Sequence, residues 1–168
     1  MAVNFTICFF FQTGAPVSNC GFFKHPLDPN YGASPDGLGE AFSVEVKTRA
    51  ENSEAPLEKV SGAHLIQTNF QMICSGGKIT FLQSYLPEKN ISNFFCIIRN
   101  DLLLNITKDI TDHILEQKAF DQWHHDDNIH LRKLGEQVLG HMATFENLRH
   151  FRSWVNNMAK STKIVVFV

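Results

Sequence analysis

The chain reads Tyr31-Gly-Ala-Ser-Pro-Asp-Gly-Leu38 and then Phe42-Ser-Val-Glu-Val-Lys-Thr48, and these two stretches decide its predicted fold. The second stretch alternates apolar and polar residues, which is typical of a half-buried strand. Residues two apart in a strand point to the same face of the sheet. We therefore expect the side chains of Glu45 and Lys47 to project side by side.

The residues around Asp36 favour a metal-assisted catalytic centre. Asp36 lies in Ser-Pro-Asp-Gly, where Pro fixes φ and Gly tolerates positive φ, so we expect a rigid turn that holds the carboxylate. The carboxylates of Asp36 and Glu45 can hold a hard divalent cation through oxygen. The neighbouring ammonium group of Lys47 can orient or deprotonate a water molecule.

The order of the predicted elements indicates an α/β fold with a central mixed sheet flanked by helices. Apolar patterning predicts strands over 20–24, just before Asp36, and over 41–49, 78–86, 93–99 and 163–168. Helical spacing predicts helices over 58–75, 101–117, 129–141 and 145–159, and Gly76 is expected to end the first of them. We expect a single domain over 1–168, with its core over about 20–100 and a helical part over about 101–160.

Composition is that of a globular protein without a membrane span. The 168 residues are 43% hydrophobic and 19% charged, which suits one domain with a substantial core. The four cysteines form no C-x-x-C pair, which favours reduced thiols in an intracellular protein, whether nuclear or cytoplasmic. No run approaches the roughly 18 apolar residues that a membrane-spanning helix needs. A net charge of −2 does not indicate nucleic-acid binding. A protein with this net charge can nonetheless bind nucleic acid, because its basic residues need only line one groove.

The pattern Pro35-Asp36 followed by Glu45-Val46-Lys47 resembles the PD-(D/E)XK nuclease superfamily. Together with His64-Leu-Ile-Gln-Thr-Asn-Phe-Gln-Met72, it is similar to the YqaJ-type viral recombinase, or lambda exonuclease-like, branch, from Cys20 to Arg99. The resemblance implies a restriction-endonuclease-like core and a Mg²⁺- or Mn²⁺-dependent phosphodiesterase. It further implies that DNA is the substrate, commonly cut by a 5′→3′ exonuclease at duplex ends.

The resemblance also implies roles for individual residues. Asp36 and Glu45, with the backbone carbonyl of Val46, would bind the metal ion. Lys47 would align the attacking water and favour its hydroxide form. Gln67 matches the helix glutamine of the family and would orient Lys47 or a substrate phosphate.

Ser34, Arg49, His64 and Gln71 are candidate substrate contacts. Gln67 and Gln71 lie four residues apart, hence on one helix face, and His64 lies three residues before Gln67. Arg49 follows Lys47 on the same face of the predicted strand. The alternative is a polar outer face on an amphipathic helix and an exposed strand arginine.

A second cluster, Trp123-His-His-Asp-Asp-Asn-Ile-His130, combines imidazoles with carboxylates that can bind zinc. No histidine pair in it has the three- or four-residue interval of a helical metal clip. Asp126 and Asp127 suit the cap and first turn of the helix predicted over 129–141. We expect a solvated helix start here.

The chain departs from the family before its first core strand. Related nucleases have helices there that supply a further acidic residue, whereas the first acidic residue here is Asp28. Either the chain is a piece of a longer protein, or another residue completes a second metal position. Three functions stay open: an end-processing exonuclease, a catalytically weak nucleic-acid-binding module with the nuclease fold, and an interaction domain. RNA fits the residues as DNA does, and a homo-oligomer is compatible with the sequence.

Overall fold

The computed structural model, which describes residues 13–50, 52–116 and 146–165, contains a five-stranded sheet, a two-stranded hairpin and helices. The hairpin is formed by β1 (Phe23–Lys24) and β2 (Gly32–Ala33). The strands of the sheet are β3 (Gly37–Leu38), β4 (Ser43–Thr48), β5 (Ile79–Leu86), β6 (Ile91–Ile98) and β7 (Ile164–Val165), in this spatial order. The helices are α1 (Gly62–Ser75), α2 (Asp101–Glu116) and α3 (Glu146–Ser161).

The sheet is mixed. β4 and β5 are parallel, with Glu45 beside Leu82 and Lys47 beside Ser84, and the other neighbouring strands are antiparallel. Parallel neighbours need a long crossover connection, and α1 lies in it. The predicted α/β fold with a central mixed sheet and helices is confirmed.

Alternation along the strands separates two apolar clusters. On one face, Leu82 and Phe95 pack with residues of all three described helices, among them Met72, Leu103 and Val155. On the other face, the cluster consists of Val44, Val46, Tyr85 and Phe94, with Ala15, Val17, Phe42 and Phe81 packed against it. Because Glu45 stands beside Leu82 in the register, its side chain points toward the helices.

Helix α1 begins later than the pattern predicts, at Gly62 and not at residue 58. Ser61 is its N-cap, because the Ser61 hydroxyl accepts a hydrogen bond of 3.2 Å from the backbone nitrogen of His64. Gly76 ends the helix with a positive φ of 76°, as its position predicts.

The segment around Asp36 differs from the predicted turn. Gly37 and Leu38 form a strand that pairs antiparallel with Val44 and Ser43. Gly37 is extended, since the positive-φ glycines of the described residues are Gly14 and Gly76. Pairing with β4 stretches the backbone directly after Asp36, so the positive φ that glycine tolerates is not used at Gly37.

Several predictions lie partly or wholly outside the described residues. These are the helix over 129–141 with the cluster Trp123 to His130, and the single-domain organisation over 1–168. The first predicted strand is confirmed only over Phe23–Lys24, and the last is described as Ile164–Val165. In the described part of the chain, no helix is long and apolar enough to span a membrane.

Candidate active site

Glu45 lies at the centre of the candidate site and is only 4% exposed. Its Oε1 accepts hydrogen bonds from Lys47 Nζ (2.6 Å) and Gln67 Nε2 (2.7 Å). Its Oε2 accepts one from Gln71 Nε2 (2.6 Å). A buried carboxylate is costly unless it is paired and hydrogen-bonded, and these donors compensate that cost. The structure thus brings residues of β4 and α1 together around one carboxylate.

Asp36 reaches this site from the edge of β4. Its Oδ2 accepts a hydrogen bond of 2.7 Å from the backbone nitrogen of Val46, and its own backbone nitrogen donates to the Val44 carbonyl (3.0 Å). The N–H and C=O of one strand residue point to the same side, so the Val46 carbonyl faces the side from which Asp36 approaches. Among the described strands, only β3 pairs with β4 on that side, and Val44 is the last residue of β4 with a partner in β3.

The two carboxylates give the site a surplus of negative charge. Burial raises the pKa of Asp36 above its usual range, and the nearby charge of Glu45 adds to the rise. The hydrogen bond from Val46 and the charge of Lys47 act in the opposite direction. Two carboxylates this close repel each other when both are ionised, so a proton or a cation stabilises the pair.

The donor set fits a hard divalent cation that keeps some of its water ligands. The carboxylates of Asp36 and Glu45 and the carbonyl of Val46 are oxygen donors, which Mg²⁺ and Mn²⁺ prefer. Within the described ranges, no group of three or more His, Cys, Asp or Glu residues converges to hold a metal ion. A closed zinc site, which needs four such ligands, is therefore not formed by these residues.

Lys47 and Gln67 connect the buried Glu45 with solvent. The Lys47 side chain is 30% exposed and Gln67 is exposed, whereas the Glu45 side chain is 5% exposed. A molecule arriving from solvent would therefore meet the ammonium and the amide before the carboxylate. The catalytic roles of Asp36, Glu45, Lys47 and Gln67 stay predictions.

Gln71 belongs to the centre of the site and not to an outer helix face, because it is 2% exposed and bonded to Glu45. Its Nε2 also lies 3.4 Å from the carbonyl oxygen of Ser34. Ser34 itself is exposed, and its hydroxyl donates to the carbonyl of Gly21 (3.3 Å). The structure thus places the Ser34 backbone, and not its hydroxyl, against the central residues.

His64 and Arg49 lie around this centre. His64 is half-buried, and its Nδ1 has no hydrogen-bond partner in the described part of the chain. Burial lowers the pKa of His64, and the charge of Lys47 lowers it further. The backbone nitrogen of Arg49 donates to Tyr85 on β5 (2.8 Å), and its buried Nε has no partner among the described residues. Substrate contacts by either residue stay predictions.

Sequence reasoning missed the anchor that holds the β1–β2 hairpin. The Tyr31 hydroxyl donates a hydrogen bond to Asp112 of α2, and the Tyr31 ring packs on Phe70 of α1 at 5.8 Å between centroids. Lys108 lies 5.0 Å above the same ring and pairs with Asp28 at 3.1 Å. Because β2 leads directly to Asp36, this anchor fixes the segment that carries the carboxylate. Lys108 and Asp112 stand four residues apart, the spacing of a helical ion pair, so the sequence could have indicated that contact. Tyr31 is 81 residues from Asp112, so no local pattern predicts their hydrogen bond.

A second missed residue, Asn69, joins α1 to the start of α2. It is fully buried, its Nδ2 donates to the Leu65 carbonyl (2.9 Å), and its Oδ1 accepts from the backbone nitrogen of Asn100 (2.6 Å). The Asn100 side chain in turn accepts from the backbone nitrogen of Leu103 (3.0 Å). The hydrogen bond to Asn100 therefore fixes where α2 begins relative to the helix that carries Gln67 and Gln71.

Comparison with known proteins finds likeness only among solved structures. No family model matches the chain, and no curated protein matches it. An alkaline exonuclease (LHK-Exo) from Laribacter hongkongensis aligns with 21% identity and a TM-score of 0.47, covering 90% of this chain. Its complex with dAMP aligns with 21% identity and a TM-score of 0.46, again over 90% of this chain. The chain spans 66% of the length of that exonuclease.

Proposed function

We propose that this chain is a divalent-cation-dependent phosphodiesterase that cleaves DNA, as an exonuclease of the recombinase type. The observation that carries the proposal is the hydrogen bond from Val46 to Asp36, since it brings a second carboxylate to the edge that presents Glu45 and Lys47. The pattern of these residues resembles the PD-(D/E)XK superfamily, and their arrangement in the fold supports the same chemistry.

The cation would be Mg²⁺ or Mn²⁺, held by Asp36, Glu45 and the carbonyl of Val46. Such ions are commonly bound through one or two carboxylates together with substrate phosphates. When bound, the cation would neutralise charge on the scissile phosphate and stabilise the leaving oxygen. This chemistry suits a substrate whose own negative charge repels nucleophiles.

Lys47 is the residue that would handle the attacking water. Its ammonium is held 2.6 Å from Glu45 Oε1, which fixes where its remaining protons point. A positioned ammonium can donate to the water or to a phosphate oxygen and so favour in-line attack. Gln67, which donates to the same oxygen of Glu45, would keep Lys47 and Glu45 aligned.

The test is cleavage of an end-labelled linear duplex with Mg²⁺ or Mn²⁺. We expect EDTA-sensitive release of nucleotides from the ends and loss of cleavage in Asp36→Asn. A closed circular duplex should be resistant if the enzyme needs ends, and a labelled RNA duplex tests the nearby alternative. Cleavage that survives both EDTA and Asp36→Asn would overturn the proposal.

A second candidate function is a catalytically weak nucleic-acid-binding module that keeps the fold. It is favoured by the observation that only two carboxylates meet at this site among the described residues, with no third His, Cys, Asp or Glu. This module would bind DNA with an affinity that falls as salt rises, and would release no product over a long incubation. An interaction domain would show neither DNA binding nor Mn²⁺ binding.

A further inference from the structure

Gln71 carries an acceptor that the described contacts leave unused. Its Nε2 donates to Glu45 Oε2 at 2.6 Å, but its Oε1 is buried and has no hydrogen-bond partner among the described residues. The whole residue is 2% exposed. A buried polar atom without a partner is energetically costly and uncommon in folded proteins, so this oxygen calls for a specific reason.

The surroundings of this oxygen favour a positively charged ligand. The carboxamide is held in place at its nitrogen end by Glu45, and the same nitrogen lies 3.4 Å from the Ser34 carbonyl. Because Oε1 belongs to the same planar group, it stays close to the Glu45 carboxylate. Asp36 and Glu45 already give this region more negative than positive charge, which makes it a poor place for another uncompensated acceptor.

We propose that Gln71 supplies a further oxygen donor to the cation site, with Oε1 facing the ion or a water molecule bound to it. This inference rests on the proposed function, because it concerns the same cation. Side-chain amide oxygens are ordinary ligands for hard cations. It assigns Gln71 to the metal centre, whereas the sequence suggested a contact with substrate.

Gln67 is the matched control for this role. Both glutamines donate through Nε2 to the Glu45 carboxylate, Gln67 to Oε1 and Gln71 to Oε2. Gln67 is exposed, so its amide oxygen can bind bulk water, whereas that of Gln71 is enclosed. Replacing each by Met removes the donor in both cases, but removes an enclosed acceptor only at position 71.

The experiment is Mn²⁺ titration by calorimetry, without DNA, on wild type and the variants Gln71→Met, Gln71→Glu and Gln67→Met. We expect Gln71→Met to weaken Mn²⁺ binding by roughly 10- to 100-fold, the range typical for groups that support a metal site. Gln67→Met removes only a hydrogen bond to Glu45 and should weaken binding less than Gln71→Met does. Gln71→Glu, which keeps an oxygen at this position and adds charge, should bind as tightly as wild type or more tightly.

The outcomes separate this inference from the proposed function. If wild type does not bind Mn²⁺, the cation centre itself is wrong. If wild type binds but Gln71→Met binds equally well, or Gln71→Glu is as weak as Gln71→Met, then Oε1 is not a donor to the ion. Should Gln71→Met fail to fold, the Gln71 Cδ resonance of wild type gives the same answer, because Mg²⁺ must shift it. An unmoved resonance in a protein that binds Mg²⁺ would overturn the inference.

Discussion

Asp36 Oδ2 lies 2.7 Å from the backbone nitrogen of Val46, so a residue outside β4 is bonded to the strand that carries Glu45 and Lys47. The bond spans ten positions of sequence. It ties the residue directly before β3 to β4, beyond the pairs that β3 itself forms with β4. It also keeps the Asp36 carboxylate beside the Val46 carbonyl.

Asp36→Asn should raise the unfolding temperature at pH 7 in the absence of divalent cations. Burial raises the pKa of Asp36 in the folded state, so the folded protein holds this proton more tightly than the unfolded chain. Stability of the wild type should therefore fall as pH rises from about 3.9, the usual value for Asp, through the folded-state pKa. Asparagine avoids that loss and can still accept from Val46. Thermal melts at pH 3 and pH 7 measure the difference, and an equal gain at both values would contradict this account.

Added Mn²⁺ should reverse the order of the two proteins. The wild type offers an ionised carboxylate to the cation and should melt at a higher temperature when Mn²⁺ exceeds its dissociation constant. Asp36→Asn lacks that charge and should gain little. Melts with Mn²⁺ and with EDTA test this, and an equal gain in both proteins would show that Asp36 does not bind the cation.

Lys47→Met should keep Mn²⁺ binding and lose turnover. The ammonium is not a cation ligand, and its removal takes away the group held against Glu45 that would position the attacking water. Single-turnover cleavage should slow by roughly 10²- to 10⁴-fold, as is usual for a positioned proton-transfer group. Lys78→Met, at an exposed lysine before β5, is the matched control and should cleave normally. Wild-type cleavage rates in Lys47→Met would exclude a PD-(D/E)XK mechanism.

Tyr31→Phe should lower stability and also weaken Mn²⁺ binding. The substitution keeps the ring on Phe70 but removes the hydrogen bond to the Asp112 carboxylate, and a hydrogen bond to a charged group contributes about 1.5–3 kcal/mol. Because the hairpin leads to Asp36, loosening it should be felt at the cation site. Tyr85→Phe removes a hydrogen bond to the neutral Asn90 amide, on the opposite face of the sheet, which contributes about 0.5–1.5 kcal/mol. Urea unfolding and Mn²⁺ titration of both variants should show a loss of stability in each, larger for Tyr31→Phe, but a loss of affinity only for Tyr31→Phe.

Asn69→Leu should be strongly destabilising although Leu fills a similar volume. It leaves the half-buried backbone N–H of Asn100 without its partner beside the buried position 69, at a cost of about 1–3 kcal/mol. Urea unfolding measures this cost. A loss within a few tenths of a kcal/mol would show that the N–H finds water instead.

The sequence predicts the local parts of this site and misses its long-range supports. Alternation in β4 correctly places Glu45 and Lys47 on one face, because a strand has a fixed period of two. Helical spacing correctly puts Gln67 and Gln71 together, but it does not tell whether their face meets solvent or the sheet. That depends on the docking of α1, which leaves Gln71 enclosed and Gln67 exposed.

In two places the local sequence does not predict the structure. The contact between Tyr31 and Asp112 depends on how a hairpin and a distant helix meet, and neither residue shows this in its own neighbourhood. At Gly37, the residue type suggested a turn, but pairing with β4 decided the conformation. Turn propensity is a weak preference, and a strand partner overrides it.

The crossover through α1 has a consequence for how the chain folds. Parallel strands cannot be joined by a tight turn, so the ladder between β4 and β5 needs a long loop to close before its bonds form. The Ser43–Thr80 contact spans 37 positions, whereas the bond between Glu45 and Gln71 spans 26 and that between Glu45 and Gln67 spans 22. Contacts between α1 and Glu45 therefore close shorter loops than the ladder does, and can guide β5 into register. A substitution at Glu45 would then change the folding rate of this segment as well as its stability.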